Sequence, residues 1–552
     1  MKHLKCLFFG LFLSHLLFAQ TIDLTFGENG YLPYAGIISN TELNAGKGEN
    51  TALQSDGKLV VAISKIAPPS YDLQLYTYRY NANGTPDSSF GVGGVSKIFA
   101  GSNSKNQDLV LQPDGKIVVV AETEYCINGV CGAPQFLMVR MHSNGTIDST
   151  FGTNGKILSN DLFNGNGTFA KAIRIKMLPN GKFVIGGRGV AGKPFIAQIN
   201  SDGSKDNSFA TNGIFADTTS WTSLVDIAIS PSGEILALQK KYNYLPSMYP
   251  DTINLVDIYI LKLTSLGALS SNFGTNGRKI YSISNDDDPS SILVGNNNEI
   301  IVGGSHQWNN TQSNNLPFSG YGTTNRGFVS YLNADGSLNS LGNFTLDLLT
   351  ENATFIHEIL LLPSNQILFV GKTINFVNGN FREKALIGQL DTNAALDVDF
   401  SDDGVLLFDY GLLGSTGFQG TICSINDIDL NTQGDAYLTG TRNPIAGNTF
   451  QSLFLLRLTD IPNLLPNYIE ASSNDNAENS VFPNPNEGFF TVKANSNGIY
   501  RIYSLAGTLI QSGNVIDGFN LMEIHSPCPS GIYFLNITDK QGHTSNSKFV
   551  RN

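Results

Sequence analysis

The chain has 552 residues, too many for one ordinary hydrophobic core, so several domains or one large closed β architecture is expected. Charged residues make up only 14%, beside 57 glycines and 10% aromatics, which favours a closed β architecture whose surface relies on uncharged polar groups. A net charge of -12 and the lack of any basic stripe exclude nucleic acid as a partner, because phosphate binding needs clustered Lys and Arg.

Residues 1–19 read as a secretory signal peptide. Lys2 and Lys5 precede an apolar stretch from Leu7 to Phe18, and the small Ala19 stands before Gln20. That stretch is too short to span a membrane, and no later segment reaches the roughly 18 to 20 apolar residues a spanning helix needs. No transmembrane segment is therefore expected, and the mature chain should be soluble or attached to a surface. Cys6 leaves with the signal. Cys126 and Cys131, in the predicted loop EYCINGVCGAP, are a disulfide candidate in an exported protein, since a metal site would need further ligands nearby. Cys423 and Cys528 read as buried thiols.

From residue 20 to 460 the chain repeats. One half of the unit is an apolar strand, a tight turn and a second strand: LQSDGKLVVA at Leu53, LQPDGKIVVV at Leu111, MLPNGKFVIGG at Met177 and ISPSGEILAL at Ile229. Weaker copies begin at Val294, Leu361 and Leu430, which makes seven. The other half is a strand, an Asn-Gly or Asp-Gly turn and a Phe-Gly loop, as in YRYNANGTPDSSFGVGG and VRMHSNGTIDSTFGTNG, with a degenerate copy near Asn339. Asn-Gly and Asp-Gly tolerate the positive φ that two-residue hairpin turns demand. Phe26, Phe90, Phe151, Phe209 and Phe273 are spaced by 64, 61, 58 and 64 residues, and Phe400 follows after two further repeats. The chain opens on an orphan Phe-Gly half, TIDLTFGENGYL, and its seventh first half ends without one. The two ends complement each other, which predicts a seven-bladed β-propeller closed by an N-terminal strand; closure removes the exposed edges of an open array. These residues resemble the delta-60 repeat family of exported bacterial proteins, across roughly Thr21 to Asp460. The resemblance implies an extracellular propeller and brings no catalytic residues with it.

Residues 461–479 turn Asn-, Pro- and Ser-rich and the period stops, as in a linker. Short alternating strands separated by Gly, Asn and Pro then read as a small β-sandwich over residues 480–552. Pro483, Asn484, Pro485 and Gly488, then Gly531 and Tyr533, and finally the basic Lys548 and Arg551 stand in the order and spacing of a type A sorting domain of the type IX secretion system, which this segment resembles. The resemblance implies passage through the periplasm, engagement of the type IX secretion machinery and release or attachment at the outer surface.

Aligning the repeats exposes a polar column just before the first apolar run: Asn50, Asp108, Arg174, Asp226, Ser291, Glu358 and Asp427. The next position is mostly apolar, so period-2 alternation sends the two columns to opposite faces. If this strand is innermost, Asp108, Arg174, Asp226, Glu358 and Asp427 ring one mouth of a central channel. Its acids could hold calcium through carboxylate oxygens or could satisfy backbone N–H groups of neighbouring turns. A second column, Arg79, Arg140, Gln198, Lys262, Tyr331, Gln389 and Arg457, offers long polar side chains to neighbouring blades, and the Asp residues before the Phe-Gly loops predict Asx turns. His306 and Trp308, in GGSHQWNNTQSNN, mark the most site-like loop. No nucleophile elbow, zinc-binding His-Glu helix or phosphate loop is present. The sequence thus predicts a binding or adhesion module for an extracellular glycan or protein. A polysaccharide-degrading hydrolase or lyase is the alternative, to be favoured by paired carboxylates converging with an aromatic in one pocket.

Overall fold

The computed structural model describes residues 21–22, 26–27, 31–33, 48–67, 72–98, 104–124, 126–127, 130–163, 170–189, 192–219, 221–243, 255–284, 286–307, 325–348, 351–377, 380–401, 403–408, 423–431, 435–442, 452–459, 481–482, 489–494, 497–504, 509–515, 518–524, 531–539 and 544–551. The expected signal peptide, Trp308, Cys528, Pro483, Asn484, Pro485 and Gly488 lie outside the described residues, as do the side chains of Cys126, Cys131, Lys548 and Arg551. The chain forms two compact units, Met1–Pro466 and Asn467–Asn552.

The first unit is an all-β, propeller-like fold of antiparallel four-stranded sheets met one after another along the chain. The first sheet runs Gly48–Leu53, Leu59–Ala67, Asp72–Tyr80, Val95–Ile98, so each repeat supplies its strands in spatial order. The inner strands of the second to the seventh sheets are Lys105–Leu111, Lys171–Met177, Thr222–Ile229, Asp287–Val294, Ala353–Leu361 and Cys423–Leu430. The seventh sheet differs at its outer side. There Thr21 and Ile22 pair with Thr459 and Leu458, and Tyr31, Leu32 and Pro33 pair with Leu456, Leu455 and Phe454. The orphan N-terminal half therefore completes the last sheet.

Cores form between successive sheets. Phe26, Phe90, Phe151, Phe209, Phe273 and Phe400 are all fully buried, each at such a boundary. Phe26 packs with Leu59, Val61 and the tyrosines of the first sheet and with Tyr437 and Leu455 of the seventh, so the same plug seals the boundary between last and first. Two backbone features of the repeat meet at this plug. Gly145, in the turn of the second sheet, has φ +84°, and a Cβ there would stand 2.9 Å from the Phe90 ring, so both the turn and the packing require glycine. The loop glycine after the Phe then donates across the boundary: Gly91 N–H to Asn144 O at 2.8 Å, Gly152 to Asp202 at 2.9 Å, Gly274 to Asp335 at 2.8 Å, and Gly27 to Asn83 at 3.0 Å.

Cys126 and Cys131 face each other in register on a two-stranded hairpin, not in an unstructured loop. Cys423 is buried, at 1% exposure. His306 lies within the strand Ile300–Gln307 with 3% of its surface exposed, its ring 6.0 Å from that of Phe328. The rest of the segment expected to form a loop lies outside the described residues.

In the second unit one sheet is Val481–Phe482, Phe489–Ala494, Gly518–Glu523, and the other is Leu509–Val515, Gly498–Ser504, Gly531–Asp539, Thr544–Arg551. Val492 and Met522 of the first share a core with Ile502, Val515, Tyr533, Leu535 and Ile537 of the second. Gly531 and Tyr533 lie on the strand opposite Arg551 and Phe549.

Candidate functional site in the central channel

Each of the seven inner strands carries a β-bulge immediately before its polar-column residue: the register shifts between Gly48 and Asn50, Asn106 and Asp108, Ala172 and Arg174, Leu224 and Asp226, Pro289 and Ser291, Ile356 and Glu358, and Ile425 and Asp427. A bulge adds a residue and re-aims the strand. The polar column then lines a cavity of about 990 Å³, while its apolar neighbours Ile175, Ile227, Ile292, Ile359 and Ile428 are buried between sheets. Asp108, Arg174, Asp226, Glu358 and Asp427 are thus brought together on one wall system, joined by Lys105, Lys176 and Asp429.

An inner strand pairs on one side only, which leaves backbone N–H groups facing the channel. The column satisfies them from sheet to sheet. Ile175 N–H donates to Asp108 Oδ2 at 2.9 Å, Ile292 N–H to Asp226 Oδ2 at 2.9 Å, and Thr51 N–H and Oγ1 to Asp427 Oδ2 at 2.6 and 3.0 Å. Leu53 N–H donates in the same way to Asp429 Oδ2 at 3.0 Å. Arg174 Nε reaches Asp226 Oδ1 at 3.3 Å, and Asn50 Nδ2 reaches Asp108 Oδ1 at 3.3 Å. The bonds made by Asp427 and Asp429 join the seventh sheet to the first.

Electrostatics divide the wall. Burial pushes the Asp108 carboxyl above its ordinary range, offset by Lys176 and Arg174. Burial and then the adjacent Asp427 charge raise Glu358 and Asp429 well above theirs. Burial opposes the charges on Arg174 and Lys176, but the carboxylates led by Asp226 and Asp108 outweigh it and hold both cations more firmly protonated than usual. His357, the bulge residue of the sixth sheet, is pushed down to about 4 by burial, with Nδ1 2.9 Å from Ile425 O, so its ring is neutral. Among the described residues no three His, Cys, Asp or Glu side chains converge to hold a metal ion. The ring acids come from separate sheets, and Asp108, Asp226 and Asp427 each accept a strand N–H.

Lys176 and Asp429 escaped the sequence reading. Both sit two positions after the column, as polar interruptions of otherwise apolar strands, and aligning that position as well would have found them.

The second column faces the hairpin turns. Arg79 Nε pairs with Asp87 at 2.8 Å and its guanidinium lies 4.9 Å from the centre of the Phe90 ring; Arg140 repeats this with Asp148 at 2.9 Å and Phe151 at 4.6 Å. Each guanidinium also donates to a turn carbonyl of the next sheet, Ser143 O and Ser201 O. Arg457 makes the equivalent bond from the seventh sheet to Ala82 O of the first, at 3.4 Å. Asp87, Asp148 and Asp206 accept the N–H two residues on, at 3.0 to 3.1 Å, as Asx turns do.

Comparison with known proteins gives two family matches. Residues 480–552 match the secretion system C-terminal sorting domain, and residues 70–90, 112–151 and 178–209 match a β-propeller domain of unknown function, DUF5122. No curated protein matches the chain. Solved structures similar to it include the β-propeller domain of the Trilobed protease from Pyrococcus furiosus, at 10% identity and a TM-score of 0.38, covering 75% of this chain and 94% of that one. A polysaccharide lyase is similar at 11% identity and 0.42, covering 74% and 89%. The α-L-arabinanase of Penicillium chrysogenum complexed with arabinobiose is similar at 12% and 0.37, covering 64% and 99%.

Proposed function

Because the chain carries a type IX sorting domain and a β-propeller, and is thereby addressed to the cell surface or the medium, we propose that it acts there as a non-enzymatic binding or adhesion module for a glycan or a protein. We read residues 1–19 as the signal peptide, 20–460 as a seven-bladed propeller closed by the N-terminal segment, 461–479 as a linker and 480–552 as a β-sandwich. The type IX secretion machinery is its export partner. No described helix is long and apolar enough to cross a membrane.

One observation carries the choice of binder over enzyme. The channel acids are distributed among separate sheets and Asp108, Asp226 and Asp427 are occupied by backbone N–H groups, whereas general acid–base hydrolysis needs two carboxyls held across a bond with oxygens free to move protons. The secreted protein should bind ligands on a combined glycan and protein array and should release no new reducing ends or unsaturated products from polysaccharides. Turnover that is lost in Asp226→Asn would replace this reading with the hydrolase or lyase one.

A further inference from the structure

The hairpin face keeps a side-chain pair in six sheets, an ion pair in five of them and an amide–carboxylate hydrogen bond in the sixth. The residue ending each first hairpin meets a partner of complementary character: Lys58 with Asp87 at 3.1 Å, Lys116 with Asp148 at 3.6 Å, Lys182 with Asp206 at 2.6 Å, Glu234 with Lys262 at 2.9 Å, Gln366 with Asp397 at 2.5 Å, and Asp435 with Arg457 at 2.6 Å. In the fourth and seventh sheets the hairpin residue is the acid and the second column supplies the cation.

The fifth sheet keeps the acid and lacks the cation. Glu299 occupies the hairpin position, but Tyr331, paired with Ile301, stands where Lys262 and Arg457 stand, and Asn339 replaces the Asp of the loop. The Glu299 carboxylate accepts only the Asn297 N–H of its own turn, at 2.8 Å, among the described residues. The Phe plug is missing too. The strand Leu338–Leu346 runs where other sheets carry the Phe-Gly loop, and its Leu341 has 39% of its surface exposed, whereas the six plug phenylalanines are fully buried. A cavity of about 410 Å³ opens at this boundary, lined among others by Glu299, Tyr331, Asn339, Leu341, Asn365 and Asp391, and by no Lys or Arg. Tyr331 is 4% exposed, and its hydroxyl makes no hydrogen bond among the described residues. Burial, then the nearby Asp391 and Glu299 charges, push that hydroxyl up, so it stays a neutral donor and acceptor.

We propose that this cavity binds the primary ammonium group of an amino sugar within a glycan. The ammonium takes the place of the absent lysine, against Glu299 and the Tyr331 oxygen. Amides such as Asn339 and Asn365 offer partners for ring hydroxyls, and Leu341 offers an apolar contact for the C–H face of the sugar. The volume lies in the range of small-ligand sites and exceeds what one lysine side chain would fill. The proposal rests on the binding reading above and specifies its site and ligand class.

The test uses the secreted protein and isothermal titration with a glucosamine tetrasaccharide, with its fully N-acetylated counterpart as the uncharged control. The amino form should bind, and the acetylated form should bind at least about tenfold more weakly. Glu299→Gln should weaken the amino form by about tenfold or more, and so should Leu341→Phe, which enlarges a side chain lining the cavity and leaves the circular dichroism spectrum unchanged. Equal binding of the two tetrasaccharides, or binding unaffected by Leu341→Phe, overturns the proposal. So does a lysine-rich peptide that displaces the tetrasaccharide at lower concentration than free glucosamine tetrasaccharide does. If the amino form fails to bind while other array ligands bind, this proposal falls and the binding reading stands; an array without ligands removes both.

Discussion

Truncating Phe26 to alanine tests whether the N-terminal half closes the ring. The side chain is fully buried between the first and seventh sheets, with its ring 5.9 Å from that of Tyr437 at 75°. Deleting a buried Phe side chain costs about 3–5 kcal/mol, and an edge-to-face aromatic pair contributes about 0.5–1.5 kcal/mol of its own. The adjoining backbone bond from Gly27 to Asn83 survives the substitution, so about 4 kcal/mol is expected, nearly three powers of ten in the closing equilibrium. Phe151→Ala is the reference. That ring is equally buried, edge-on to Phe183 at 6.2 Å and 90°, but sits between the second and third sheets, far from the closure. Urea titration of both variants should give comparable losses, and limited proteolysis should cleave ahead of Gly48 sooner in Phe26→Ala alone. A Phe26→Ala protein with the parental urea midpoint, beside a weakened Phe151→Ala protein, would refute closure through this segment.

Three further outcomes are expected. Asp427→Ala should lower stability by about 2–3 kcal/mol in the same titration, because it orphans the Thr51 N–H on an inner edge, whereas Asp427→Asn keeps an acceptor and relieves repulsion with Glu358 and Asp429, so it should cost under about 1 kcal/mol. Glu358 has its pKa raised in the folded state, so its contribution is favourable below the ordinary carboxylate range and is lost as pH rises through the folded value; Glu358→Gln should raise the melting temperature at neutral pH and leave it unchanged near pH 3. Removal of residues 480–552 should leave a folded propeller inside the envelope, shielded from protease added to intact cells, and undiminished surface exposure would count against the sorting role.

The repeats were legible because their turns are. Asn-Gly and Asp-Gly dipeptides, the Phe before its glycine and the complementary ends all follow from local chemistry, and the pairing of Thr21–Ile22 and Tyr31–Pro33 with Ser452–Thr459 agrees with the closure they predict. The bulges were not legible. A bulge adds one residue to a strand whose apolar run continues on either side, so Gln107, Ile173 and His357 carry no mark of being unpaired. Turn neighbours were expected to receive the ring carboxylates; the recipients are instead inner-strand N–H groups of the next sheet, a contact between repeats that no single repeat displays. His306 misled because polar residues follow it, while the strand ends one residue later. Tyr331 was visible as the odd member of its column, but the loss of the cation gains meaning only when Glu299 is seen opposite it across the hairpin face.

The hydrogen bond from Thr51 to Asp427 spans 376 positions of sequence, and the strand contacts of Thr21 and Ile22 reach further still. A chain synthesised from its N-terminus must therefore hold its opening segment in waiting until the final repeat has emerged, since the partner strand Ser452–Thr459 comes last. Any product cut short before that strand is an arc with two bare ends, open to proteases. Closure thus depends on length: only a chain that has reached the strand Ser452–Thr459 can pair it with residues 21–22 and 31–33, and the sorting domain, which follows in sequence, is carried only by chains that already contain that strand.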